Sequence, residues 1–297
     1  NFFQKIFKKG LNMEKRAKQP RSLLVISTAL CAALYAIGAY ATAYIQSPWG
    51  MGQFRPAVVI PAFFATIFGP WTGGVGAAIG TLICDSAKRG ALHVGSLIAA
   101  VPGNFAGFFL FGYILKKKFT WTRFILAANA TLTIGNLIVA FLYVFIYQAL
   151  YLGALKMSVE GLVLLSLGLT IFWFITMLPF VLLVTPTLIR AASMAFPNIV
   201  DEEIRMHSLK KEMPKKAFGL ALTVPGLVML ITGLAVTFSP FGDYLRGNFA
   251  KTFTPSVMEL LQILFYGSGA VLSILGLAVL GAFSLTAKNK ATSSTKS

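Results

Sequence analysis

Asn129, Thr133, Asn136, Tyr143 and Tyr147 follow one another at steps of four, three, seven and four residues, which places them on one stripe of a helix. Ser166, Thr170 and Trp173 form a second stripe of the same kind, and Ser96 and Asn104 share a third apolar segment. These are neutral hydrogen-bonding and aromatic groups. Their chemistry is recognition or helix association, since no Ser/His/Asp or Cys/His arrangement is placed for nucleophilic work. Unpaired polar groups are costly in lipid, so the stripes must turn inward, to neighbouring helices or to a cavity. For Asn129, Thr133 and Ser166 both readings stand, whereas the rings of Tyr143, Tyr147 and Trp173 favour a cavity. Arg55 and Asp85 close the two ends of a further stretch, FRPAVVIPAFFATIFGPWTGGVGAAIGTLICD, residues 54–85. They either clamp a polar ligand or pair with each other, or serve as a snorkelling Arg and a helix-terminal Asp.

Several other chemistries are excluded. There is no Gly-x-x-x-x-Gly-Lys-Ser/Thr phosphate loop, so nucleotide hydrolysis by that route is absent. None of the nine acidic residues lies deep inside an apolar run, which argues against a proton pump with a buried carboxylate. His93 and His207 stand in connections without a second ligand at helical spacing, so no metal site is expected. Cys31 and Cys84 fall in apolar segments at no ligand spacing and read as small packed hydrophobes. The chain is expected to be neither an enzyme nor a cofactor-binding protein.

The elements that carry these residues are membrane helices. Hydrophobic residues make up 57% of the 297-residue chain and charged residues only 12%, against about 25% charged in soluble domains; the mean hydropathy is +0.76. Continuous apolar runs, rather than alternating decads, predict an all-α bundle and not a barrel. Residues 1–21 are basic, with Phe and Ile interleaved, and either lie on an anionic inner leaflet as an amphipathic segment or form a solvated tail. Residues 22–45 are too long for a signal-peptide core and read as a retained first span, followed by a loop in which Trp49 is an interface anchor. Residues 54–85 then read as two short helices, broken at Gly69 and Pro70, and short Gly/Pro-interrupted segments are where membrane proteins tend to place ligands. Spans four, five and six cover 94–115, 124–152 and 161–191; a charged loop occupies 193–216, a two-span hairpin 217–286, and a Lys/Ser/Thr-rich tail, expected to be disordered, 287–297. This amounts to about eight membrane helices.

The net charge of +17 is concentrated at the tips of the apolar runs and not in a separate nucleic-acid-binding domain. Lys and Arg crowd the N-terminus, the loops after spans four and six, and the C-terminus, which puts both termini in the cytoplasm. With about 1.5 Å of depth per residue, Tyr143, Tyr147, Ser166 and Thr170 lie in the outer half, and Asn104, Asn136 and Trp173 near the middle. Three helices thus offer polar or aromatic groups at matching depth, as an outward-facing pocket for a small molecule requires.

Ala29 and Ala33 on the first helix, then Phe-Arg-Pro-Ala-Val-Val-Ile-Pro-Ala-Phe-Phe, Phe-Gly-Pro and Gly-Gly-Val-Gly-Ala-Ala-Ile-Gly leading to Asp85, make a pattern that resembles the substrate-capture (S) components of energy-coupling factor (ECF) transporters. The fourth span, with Pro102, Gly103, Asn104 and Gly107 and ending Gly112, Tyr113, Ile114, Leu115, is similar too. The resemblance covers residues 22–192. It implies a six-helix bundle in the cell membrane that binds a vitamin or metal ion from outside and works with a transmembrane coupling subunit and cytoplasmic ATPases, which would bind the ATP. It implies further that Ala29 and Ala33 pack on the coupling subunit, and that the first outer loop and the outer ends of spans four to six hold the ligand. The hairpin at 217–286 departs from the six-helix pattern. Two other readings remain open: a structural or assembly subunit of a larger membrane complex, and a stand-alone channel or secondary carrier. No charge pattern names the solute.

Overall fold

A computed structural model describes residues 19–47, 50–240, 243 and 262–294. The expectations for the first 18 residues and for Trp49 fall outside these. Among the described residues every extended element is helical, and the only strand pairing is one isolated antiparallel bridge, Gln46 to Gln53. Six helices among the described residues are long and apolar enough to cross a membrane. The chain is an all-α, multi-pass membrane protein.

Helix α1 (Arg21–Ala41) starts directly after Pro20 and buries Cys31, Ala32, Tyr35, Ala36 and Ala39. Helix α2 (Pro56–Phe68) is short and apolar. It stops at Gly69, whose φ of +93° suits glycine, and Pro70 opens α3 (Pro70–Arg89), where its missing N–H costs nothing. α3 passes Asp85 by one further turn and ends on Lys88 and Arg89, whose charges suit a helix C-terminus. α1 lies hard against α3. A Cβ on Gly76 would stand 2.5 Å from Cys31 Sγ, and one on Gly80 2.7 Å from the Ala32 carbonyl oxygen, so the glycines of α3 are what allow the approach.

Helix α4 (Ser96–Lys116) packs on α3, and α5 (Trp121–Tyr151) on α4. The Thr131 hydroxyl donates to the Gly107 carbonyl across the α4–α5 contact at 2.8 Å. Both helices contain π-helical turns, Ser96–Ala100 and Leu142–Tyr151, which touch each other at one end of the bundle. Helix α6 (Val159–Ala195), begun by the Ser158 cap, has Pro179 and Pro186 inside it. At 37 residues it is roughly 55 Å long, well beyond the ~30 Å apolar thickness of a bilayer.

The overhang of α6 meets a folded cap. Helices α7 (Glu202–Met206) and α8 (Leu209–Glu212) cross that end of the bundle. Glu203 accepts from the Phe119 N–H at 2.9 Å, and Arg190 Nη1 donates to the Arg205 carbonyl at 3.1 Å. The charged loop therefore closes helix ends rather than trailing in water. Helices α9 (Lys215–Phe238) and α10 (Gly269–Ser294) form the expected hairpin, and α9 rests on α6. Tyr266, in the π-helical turn before α10, donates to Thr237 Oγ1 at 2.8 Å. The backbone stays helical through 287–294, where composition predicts disorder; extending an existing helix costs far less than nucleating one.

Candidate functional site

The end of the bundle that holds the α1–α2, α3–α4 and α5–α6 connections encloses a cavity of about 250 Å³. Its roof is the α1–α2 connection, which folds back on itself. Phe54 N–H donates to the Ile45 carbonyl at 2.8 Å, and Ser47 N–H to the Gly52 carbonyl at 3.1 Å. Beneath it lies Trp173 of α6, whose indole N–H donates to the Gln53 carbonyl at 3.2 Å. Gly52 has a φ of +74°, and any Cβ there would overlap the Trp173 ring. Glycine is needed on both counts, by backbone conformation and by contact.

One wall is charged. Arg55 Nη2 donates to Asp85 Oδ1 at 2.6 Å, Arg55 Nη1 donates to the Thr81 hydroxyl, and Ser96 Oγ donates to Asp85 Oδ2 at 2.8 Å. With its amide oxygen turned to Arg55, Gln53 accepts from Nε at 3.2 Å and donates to the Ala43 carbonyl at 3.3 Å. Burial disfavours charge on Arg55, but the Asp85 carboxylate offsets this and holds the guanidinium protonated above its ordinary range. Lys88 Nζ donates to the Ala43 carbonyl at 2.6 Å, and Arg89 follows it at the rim. On the floor, Asn104 Nδ2 donates to the Ala100 carbonyl at 2.8 Å while Tyr35 OH lies 3.4 Å from Asn104 Oδ1. Asn136 and Met177 are neighbours across the α5–α6 contact, with Nδ2 3.9 Å from Sδ.

The π-helical end of α5 makes the aromatic side. There Tyr143, Tyr147 and Tyr151, four residues apart, lie over one another, with ring centroids 5.4 and 5.8 Å apart. Tyr147 also meets His93 edge-on at 5.6 Å and lies so close to Gly95 that a Cβ there would fall 2.5 Å from the ring. Burial, with Arg89 adding to it, pushes the His93 pKa below its ordinary value.

Arg55, Asp85, Ser96, Asn104, Asn136, Tyr143 and Trp173, picked out from sequence, thus line one cavity. Arg55 and Asp85 are paired to each other. Tyr147 stands behind the rim, against His93 and Gly95. Ser166 and Thr170 do not line the cavity. Their hydroxyls turn back to the Leu162 and Ser166 carbonyls of their own helix at 2.9 and 2.8 Å, a local bond that satisfies a buried hydroxyl without a partner helix. Thr133 is exposed and Asn129 donates to Ile125 at 2.8 Å, so the inward stripe of α5 begins only at Asn136. Sequence reasoning missed Gln53, Lys88, Arg89, His93 and Met177. A signal existed for two of them: Lys88 and Arg89 follow Asp85 at the three- and four-residue spacing that shares a helix face.

Ala29 and Ala33 lie elsewhere. Both are exposed on α1, in an apolar groove of about 830 Å³ shared with Val75, Ile79 and Ile83 of α3.

A helical bundle closed around one polar and aromatic cavity at its end has the architecture of a membrane-embedded solute-capture subunit. A family model described as "ECF-type riboflavin transporter, S component" matches residues 22–185, more than half of the chain. The chain belongs to that family, and so is a substrate-capture subunit of a transporter and not an enzyme. No curated protein and no solved structure matches the chain. The match ends within α6 and leaves α7 to α10 outside it.

Proposed function

We propose that the chain binds riboflavin or a closely related flavin from outside the cell and delivers it through a coupling subunit driven by cytoplasmic ATPases. The observation that carries this is the cavity itself. Trp173, Tyr143 and Met177 give a flat ring stacking and apolar surfaces, and Asn104, Asn136, Ser96 and Gln53 stand within it as hydrogen-bonding groups. Hydrogen-bonding groups placed around a flat aromatic and apolar surface are how small-molecule sites fix orientation. At about 250 Å³ the cavity is just below the ~300–1,000 Å³ usual for such sites, so a flavin ring fills it and the side chain of the flavin projects at the rim. In this reading both termini are cytoplasmic and the cavity opens outward, by the bias of Lys and Arg along the sequence. Ala29 and Ala33, exposed on the α1–α3 groove, would receive the coupling subunit. The energy would come from partners, as expected for a chain with no phosphate loop.

The test is titration of riboflavin into purified protein, read by quenching of flavin and tryptophan fluorescence. Saturable binding at micromolar or lower concentration is expected, weakened at least tenfold in Trp173→Ala. No quenching by a folded protein would refute the reading.

A further inference from the structure

The charges around the cavity do not cancel. Three cationic side chains, Arg55, Lys88 and Arg89, line it with a single carboxylate, Asp85, and that carboxylate is taken by Arg55 at 2.6 Å. Lys88 meets only neutral groups, the Ala43 carbonyl at 2.6 Å and the Gln53 side-chain amide at 3.3 Å, which leaves its charge in place. Arg89 has no ion-pair partner among the described residues. His93 is neutral or cationic in either protonation state and so supplies no opposite charge. A concave site with one uncompensated sign concentrates ligands of the other.

A second observation comes from topology. Lys and Arg favour the cytoplasmic side of a membrane, and the cavity lies at the other end of the bundle. Two adjacent cations there run against the bias of the rest of the chain. Their place at the C-terminus of α3 accounts for a favourable interaction with the helix, but a helix cap has no need of side chains that line a cavity.

We propose that the natural solute carries an anionic group, a phosphate monoester or a carboxylate, held at the rim by Lys88 and Arg89 while its ring lies on Trp173. This rests on the flavin reading above and narrows it, because riboflavin itself is uncharged. Phosphate and carboxylate share the chemistry that the two cations recognise, and the two are separable by experiment.

Three probes are titrated into the purified protein at low and high salt: riboflavin, riboflavin 5′-phosphate and 10-carboxymethylflavin. At least one anionic flavin should bind tenfold or more tighter than riboflavin at low salt, and which one does so identifies the group. The gap should narrow at high salt and close in Lys88→Gln/Arg89→Gln, with thermal unfolding confirming that the variant is folded. If riboflavin binds as tightly as both anions, or if the preference survives the double substitution, the charge inference falls and the flavin reading stands. If no flavin binds to folded protein, both fall.

Discussion

Arg55 and Asp85 form the most sharply testable contact in the bundle. Arg55 is 8% exposed, and its pairing with Asp85 at 2.6 Å ties the start of α2 to α3. Removing one member of a buried pair typically costs about 3–5 kcal/mol, because the other charge is left behind without compensation. In Asp85→Leu the guanidinium keeps Thr81 and the Gln53 amide as acceptors, which places the loss at the lower end, about 3 kcal/mol. In Arg55→Met, Asp85 keeps only the Ser96 hydroxyl of the contacts described above, so this loss should be the larger. At about 2–4 °C per kcal/mol for chains of this order of size, Asp85→Leu should unfold roughly 6–12 °C below the wild type in detergent. The double variant Arg55→Met/Asp85→Leu removes both charges and should recover most of that loss, since apolar replacement of a buried pair is often neutral or stabilising. Intrinsic tryptophan fluorescence on heating gives the four midpoints. A double variant as unstable as the two single losses added together would refute the argument, for it would mean the two side chains contribute independently.

Three further outcomes follow from the geometry. Gly52→Ala adds a Cβ that overlaps the Trp173 ring and forces a non-glycine residue into a left-handed φ, at about 1–2 kcal/mol for the backbone alone; flavin affinity should fall at least tenfold, and unchanged binding would show that the roof yields freely. Ala33→Trp fills the exposed α1–α3 groove and leaves the cavity untouched, so uptake in cells should be lost while binding by purified protein is kept; equal loss of both would make that face structural. His93 has a depressed pKa in the folded protein, so its contribution to stability is present above the unfolded value of about 6.5 and is lost as the pH falls through that value toward the folded one. Wild type should therefore lose more thermal stability than His93→Gln between pH 7.5 and pH 5, read by the same fluorescence melt, and a smaller loss in wild type would contradict the sign.

Much of the bundle was legible because apolar length and interruption are properties of the sequence. The break at Gly69 and Pro70, the long spans and the final hairpin all follow from run lengths and from residues that cannot continue a helix. The cavity was legible where a side chain had no local alternative: the rings of Tyr143 and Trp173 cannot be satisfied by the preceding turn of their own helix as Ser, Thr and Asn can. Ser166 and Thr170 fit the same spacing and yet bond backward to their own carbonyls. Periodicity says which face a residue occupies, not whether its hydroxyl has already been satisfied. The roof was illegible for a different reason. The bonds that fold residues 45–54 join loop to loop and loop to Trp173, and such pairings leave no periodic trace.

The position of the C-terminal addition bears on which role the capture fold has here. A C-terminal addition that closed the capture fold to partners would cover its small-residue face. The α9–α10 hairpin instead rests on α6, while Ala29 and Ala33 on α1 remain exposed in the groove with α3. The added helices thus leave open the face that a coupling subunit would need. The cap between α6 and α9 does reach the groove, because Asp201 lines it together with Lys116 at the end of α4. A partner lying along α1 would therefore touch residues on both sides of the boundary at 185. The charges of Lys116 and Asp201 lining that end would make docking of such a partner sensitive to salt, whereas contacts at Ala29 and Ala33 alone would not. Salt-resistant co-purification with a coupling subunit, unchanged in Asp201→Asn, would show that the cap takes no part in docking.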